Sequence, residues 1–198
     1  MDILLWTLIA FLSGSIPFSL LVGWLVKGED IRKFGDHNPG AANVAASAGK
    51  AWSFVALLLD GFKGAIPVYL AYSWAGIQGW AIVPVALAPV FGHAFSPFLR
   101  FKGGKALSTT FGIWLGITLY VGPVILGLCM AVAYTLLKTS AWAVLFSMLV
   151  FGVFIAFYYG NTNPEFLVIW LVNFLLLLYK HRQELTSPPA LRDRWRKT

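Results

Sequence analysis

Residues 106–137, ALSTTFGIWLGITLYVGPVILGLCMAVAYTLL, carry no charged side chain. How often they cross a membrane decides the fold. One helix would cross comfortably. Two would be short, with a turn near Tyr120-Val121-Gly122-Pro123. The basic residues choose between these. With two crossings the chain has seven spans, and its basic loops (27–50, 100–105, Lys138 and 180–197) all fall on one side. The opposite loops then hold no lysine or arginine. With one crossing, Lys180, Arg182, Arg192, Arg194, Arg196 and Lys197 would lie opposite the other basic loops. Lysine and arginine collect on the cytoplasmic side of a membrane. The expected fold is therefore all-α and integral to the membrane, with seven transmembrane helices, the N-terminus outside and the C-terminus cytoplasmic. Short helices are accommodated by local thinning of the bilayer or by shelter within a bundle.

Working outward, the other apolar runs place spans at about 3–26, 51–73, 78–99, 140–159 and 166–179. Only 12% of the 198 residues are charged, too few to clothe a soluble domain of this size. The runs lack the period-two alternation of strands, so a β-barrel is excluded. A net charge of +7 would point to nucleic acid in a soluble protein. Here the cations sit in short loops and at the C-terminus, where topology and anionic lipid headgroups explain them. The single cysteine, Cys129, rules out a disulfide within the chain, and no metal-ligand spacing is present. The first run lacks a positive n-region and a small-residue cleavage site, and so reads as a span rather than a removed signal. One domain is expected over 1–185, followed by a short basic cytoplasmic tail over 186–198.

Three polar, glycine-containing stretches interrupt this apolar chain at 35–50, 60–64 and 92–108. The third contains Gly103-Gly104-Lys105 beside Arg100 and Lys102, with a helix beginning near Leu107. Adjacent glycines let a backbone turn and offer its N–H groups to an anion, and a helix N-terminus favours negative charge. A basic turn that merely holds its loop in the cytoplasm is the plainer reading. In the second stretch Asp60 and Lys63 share a helix face and can neutralise each other. They face the bundle interior whether they are structural or functional. The first stretch, from Gly35 to Lys50, is too small and apolar for a freely solvated linker, and suits a packed segment beside a polar cavity. His93, alone at a span's end, reads first as a hydrogen-bonded structural group. Ser13-Gly14-Ser15-Ile16-Pro17, inside the first span, reads as a site of close helix packing rather than a break at a site.

Together the three stretches suit a phosphorylated ligand at the cytoplasmic membrane face. No nucleophile elbow, Walker sequence or zinc spacing is present, nor a His-x4-Asp pattern. An enzyme, a non-catalytic binder of anionic lipid and a small transporter stay open on these grounds. The absence of internally repeated halves speaks against the transporter.

In order and spacing, residues 10–185 resemble the bacterial acyl-phosphate:glycerol-3-phosphate acyltransferases, small seven-span enzymes of phospholipid synthesis. The resemblance rests on Gly14-Ser15-Ile16-Pro17-Phe18, Asp30-Ile31-Arg32, and Gly35-Asp36-His37-Asn38-Pro39-Gly40-Ala41-Ala42-Asn43 through Gly49-Lys50. It continues in Asp60-Gly61-Phe62-Lys63-Gly64, Gly92-His93-Ala94-Phe95, Phe101-Lys102-Gly103-Gly104-Lys105 and Lys180-His181-Arg182. Four positions depart from the family pattern. Asp36 stands where a serine is usual, Ala46 where an arginine is common, Ala106 where glycine is frequent, and Glu184 where an asparagine is found. A carboxylate at Asp36 disfavours a nearby phosphate unless it orients a lysine or a substrate hydroxyl.

The resemblance implies attack of the glycerol-3-phosphate 1-hydroxyl on an acyl phosphate, giving lysophosphatidate and phosphate without a cofactor or metal. Lys105, His93 and Asp60 are the implied catalytic residues. Gly103, Gly104 and Lys105 would hold one phosphate by amide and charge contacts, and Lys63, oriented by Asp60, the second. His37, Asn38, Asn43 and Ser140 would complete a polar wall, with Asp36, Gly40, Lys102 and His181 placed there by their motifs. Either His93 or a substrate phosphate would take the hydroxyl proton. The implied partners are acyl phosphate, glycerol-3-phosphate and membrane lipid, with no nucleic acid; a monomer is compatible. The implied location is the bacterial cytoplasmic (inner) membrane, with the active site facing the cytoplasm. A relative using a different acceptor is the alternative that Asp36, Ala46 and Glu184 keep open.

Overall fold

The computed structural model describes residues 2–192, so Arg194, Arg196 and Lys197 of the expected tail lie outside the described residues. Among these residues there are nine α-helices and no strand. The chain forms two compact units, the first ending at Leu119 and the second beginning at Tyr120.

The first unit opens with α1 (Ile3–Ser15), capped by Asp2, whose carboxylate accepts from the Leu4 and Leu5 amides. Proline lacks an N–H and its ring clashes with the preceding turn. At Ile16-Pro17 the helix accordingly breaks, and α2 (Phe18–Lys27) resumes it until Gly28 ends it in a left-handed conformation. A 3-10 turn at Ile31–Lys33 leads to α3 (Ala41–Ala48), which packs on α2 and α4. Val22, Ile31, Val44 and Ala56 form a small core beneath it. The first polar stretch is thus a folded segment, not a solvated linker.

α4 (Lys50–Tyr69) continues through a π-turn over Leu70–Trp74; α5 (Ile82–Ala94) and α6 (Leu107–Thr118) follow. α1 lies against α5, and α4 against α6, at near-backbone contact. A Cβ on Gly14 would fall 2.3 Å from the Pro89 carbonyl oxygen, and one on Gly112 would fall 2.0 Å from that of Gly61. Helices in lipid gain little from burying apolar area against each other, so small residues that allow tight van der Waals packing decide which ones pair.

In the second unit α7 (Val121–Leu136), α8 (Ser140–Tyr159) and α9 (Glu165–His181) pack consecutively, around Phe151 and Phe166. The Trp170 indole N–H donates to the Met148 carbonyl at 2.8 Å, over the face of α8 that Gly152 leaves open. The start of the expected cytoplasmic extension is folded back. The Lys138 amide donates to the Ala190 carbonyl at 2.8 Å and the Arg192 amide to that of Leu136 at 2.9 Å. The Trp142 indole N–H donates to the Ser187 carbonyl.

Among the described residues, four segments are long and apolar enough to cross a membrane: Ile3–Lys27, Lys50–Trp74, Gly79–Leu99 and Ser140–Tyr159. Within residues 106–137 the helix ends at Thr118 and the next begins at Val121, close to the expected turn. At ~1.5 Å per residue these two helices reach only about 18 and 24 Å. A typical hydrocarbon core is ~30 Å thick.

Candidate active site

The break at Pro17 creates the first part of the site. With no i+4 amide to serve there, since the helix breaks, the Ile16 carbonyl accepts from the Phe18 amide at 3.1 Å and from the Lys63 ammonium at 2.7 Å. Lys63 and Asp60 are one turn apart on α4 and pair at 2.6 Å, with side chains only 1% and 2% exposed. The other Asp60 oxygen accepts from the Ser19 hydroxyl at 2.5 Å, and the Asp60 carbonyl accepts from Thr109 at 3.0 Å. Buried charges persist where geometry and hydrogen bonds satisfy both partners. Ser19 on α2 serves one carboxylate oxygen and the Ile16 carbonyl serves Lys63, while Asp60 Oδ1 has the ion pair with Lys63 as its contact and Thr109 of α6 serves the Asp60 main chain. Ser13–Pro17 therefore does two things: Gly14 packs against α5, as expected, and the break that was expected to be secondary supplies a ligand for a buried cation. Lys63 is sealed, 1% exposed, with Asp60 and the Ile16 carbonyl as its contacts.

His93, near the end of α5, is 8% exposed, and its Nδ1 lies 3.9 Å from Asp60. On the ring's other side runs the third polar stretch. The Gly104 amide donates to the His93 carbonyl at 3.1 Å. The glycine pair is explained by space instead of by turning. A Cβ on Gly103 would lie 1.9 Å from the His93 carbonyl oxygen, and one on Gly104 would lie 2.3 Å from His93 Nε2. Left-handed φ angles occur instead at Arg100, Phe101 and Ala106, where side chains tolerate them poorly. Ser96 ties the loop to the break in the first helix by donating to the Ser15 carbonyl at 2.6 Å.

Above this layer Lys105 emerges 21% exposed and pairs with Asp36 at 2.6 Å. The second Asp36 oxygen accepts from the Asn38 amide (3.2 Å) and the Asn43 side chain (3.0 Å). Asn43, buried on α3, also donates to the Asn38 carbonyl. A Cβ on Gly35 would collide with Asn43, and the Gly40 amide closes the turn onto the Asn38 carbonyl. His37, exposed and at φ 61°, bonds the Arg32 carbonyl through Nδ1, so its ring is held by its own loop. Partial burial opposes ionisation of Asp36, but the Lys105 hydrogen bond and charge outweigh it, helped by Asn38 and Asn43; the carboxyl titrates below its ordinary range.

The three polar stretches thus meet in the first unit as two layers. The buried layer is Ser19, Asp60, Lys63, His93 and Thr109. The accessible layer is Asp36, Asn38, Asn43 and Lys105, with Lys102 exposed on the loop beside it. Ser140 and His181 belong to the second unit. Ser140 donates to Glu184 at 3.0 Å, and His181, buried, bonds the Leu177 carbonyl of its own helix. Ser19, Thr109 and the Ile16 carbonyl were not foreseen. The only signal for the last was the proline, while the serine and threonine look like ordinary small polar residues of membrane helices. No group of three or more metal-ligating side chains occurs among the described residues.

The glycerol-3-phosphate acyltransferase family profile matches residues 4–187. Glycerol-3-phosphate acyltransferase 1 of Thermotoga maritima is 38% identical over 190 residues, spanning 89% of this chain and 93% of that protein. The glycerol-3-phosphate acyltransferase of Burkholderia multivorans is 38% identical over 189 residues, spanning 92% of this chain and 85% of that protein. PlsY (YgiH), an integral membrane glycerol 3-phosphate acyltransferase, is similar in structure. Its glycerol 3-phosphate form gives a TM-score of 0.84 at 28% identity, covering 93% of this chain and 90% of that one. Its lysophosphatidic acid form gives 0.80 at 25% identity, with the same coverage.

Proposed function

Because the chain belongs to the glycerol-3-phosphate acyltransferase family, we propose that it acylates the 1-hydroxyl of glycerol-3-phosphate from an acyl phosphate. The alcohol oxygen bonds to the acyl carbonyl carbon, the bond from that carbon to the phosphate oxygen breaks, and lysophosphatidate and inorganic phosphate leave. An acyl phosphate is already activated, so holding donor and acceptor in place supplies much of the acceleration. Lys105 is the cation that meets a substrate phosphate. Asp60, Lys63 and His93 act one layer below, fixing the Gly103–Gly104 backbone that carries Lys105. With His93 buried behind that backbone, the hydroxyl proton passes to a substrate phosphate.

The observation that carries this reading is the contrast between two lysines. Lys63 is 1% exposed and fully engaged by Asp60 and Ile16, whereas Lys105 stands 21% exposed at the meeting of the first and third stretches. The finer topology belongs to the same proposal: seven spans, an external N-terminus, and a site facing the cytoplasm from the inner membrane. The protein acts as one domain over 1–185, and a monomer suffices.

The test supplies the purified protein in lipid with a long-chain acyl phosphate, with and without glycerol-3-phosphate. Phosphate and lysophosphatidate should appear in equal amounts and only with the acceptor. Phosphate release without lysophosphatidate would point to a different acceptor. No release would leave a binder.

A further inference from the structure

One ion pair joins the first polar stretch to the third. Asp36 Oδ2 accepts from Lys105 Nζ at 2.6 Å, across 69 residues of sequence. This differs from a loose surface pair, because the carboxylate is held before any ligand arrives. Its Oδ1 is fixed by the Asn38 amide and by Asn43, which is 3% exposed and braced against Gly35 and the Asn38 carbonyl. Asp36 itself remains 43% exposed, open to the solvent from which a soluble phosphate approaches. The carboxylate therefore presents Lys105 with the chemistry of a phosphate oxygen, at a place that a phosphate must share.

We propose that Asp36 is an internal competitor at the phosphate site, holding the Lys105 ammonium until a substrate phosphate displaces it and so setting the affinity of the site. This rests on the reading of Lys105 as the phosphate-binding cation. A phosphate at Lys105 must either push the carboxylate aside or sit beside it and bear its repulsion. Both weaken phosphate binding, and both end when the charge at position 36 is removed. The opposite role, in which Asp36 only aims Lys105, has a different signature: removing the charge would lower turnover without tightening phosphate. Partly exposed ion pairs are weak, so the competition amounts to roughly a two- to five-fold change in affinity. A carboxylate here keeps the site from saturating with inorganic phosphate, which the reaction releases.

The test compares wild type, Asp36→Asn, Asp36→Ser, Lys105→Ala and the Asp36→Asn/Lys105→Ala double variant as full-length protein in lipid. Inorganic phosphate is the probe, with its Kd read by phosphorus NMR titration and its inhibition constant read from turnover. Asp36→Asn keeps the side-chain shape and the oxygen that Asn38 and Asn43 need, so it covers the case in which Asp36→Ser fails to fold. The expected result is a roughly two- to five-fold tighter Kd and inhibition constant in Asp36→Asn, a KM for a phosphate substrate that falls with them, and no such gain in the double variant. Unchanged or weaker phosphate binding, with the loss confined to kcat, would overturn the inference and make Asp36 a positioning residue. If wild type shows no acyl transfer but Asp36→Asn still tightens phosphate through Lys105, the competitor stands and the enzymatic reading falls. If Lys105→Ala leaves phosphate binding unchanged, the placement of Lys105 falls and the inference with it.

Discussion

Asp60 and Lys63 form a pair whose value lies in completeness. Deleting one partner of a buried ion pair leaves an uncompensated charge and costs about 3–5 kcal/mol, whereas replacing both by apolar groups is often neutral. Asp60→Asn should therefore lower the unfolding temperature markedly, and Asp60→Asn/Lys63→Met should recover most of the loss. Equal melting of the two variants would mean that the pair is not what stabilises this layer. Activity should be lost in both, because the Gly103–Gly104 backbone loses its support in each. For Asp36 the pH dependence follows from its depressed ionisation. A carboxyl that titrates below its unfolded value, about 3.9, contributes its pairing fully above that value and loses it as pH falls through the lower folded value. The ratio of phosphate affinities between wild type and Asp36→Asn should thus be flat from pH 6 to 8. A slope beyond that of the phosphate's own second ionisation, which falls in this window, would mean that another group controls Lys105. The sequence made Asp36 legible as an anomaly. That its charge points at Lys105 was not legible, because it depends on contacts across 69 residues.

At the scale of elements, two interruptions organise the site. The helix break at Pro17 was visible in the sequence, but its consequence was not: the Ile16 carbonyl can receive the Lys63 ammonium only when α4 is packed beside it. The Gly103–Gly104 loop shows a second use of glycine. Glycine suggests turning, yet here it allows approach, and the turning falls to Arg100, Phe101 and Ala106. Gly104→Ala should therefore act through sterics on His93. We expect acyl transfer to fall at least ten-fold, with unfolding shifted by about 1–3 kcal/mol, the usual cost of overpacking. Near-normal activity in a well-folded Gly104→Ala protein would show that the His93 contact is dispensable. The short helices α6 and α7 were legible only through charge, since their apolar runs join without a polar break.

Over the whole molecule, the helix positions followed from apolar run lengths, and the distribution of lysine and arginine makes a prediction about the side of the membrane. Single cysteines placed at Asp36, Lys102 and Lys138 in a Cys129→Ser background should label from the cytoplasmic side. Those at Gly76 and Thr162 should label from outside. Labelling of Lys138 from the outside would mean one crossing in residues 106–137 and not two. What run lengths do not encode is which side chains meet between helices, so the buried layer around Asp60 needed the packed structure. The central claim is that Lys105, carried on a glycine loop braced by His93, holds the phosphate in an acyl transfer to glycerol-3-phosphate. The most direct measurement is the rate of acceptor-dependent lysophosphatidate formation by Lys105→Ala beside wild type, in protein shown to melt normally. The account predicts a loss of at least a hundred-fold, about 2.7 kcal/mol of transition-state stabilisation at ~1.36 kcal/mol per factor of ten. A folded Lys105→Ala protein that forms lysophosphatidate at close to the wild-type rate would contradict it.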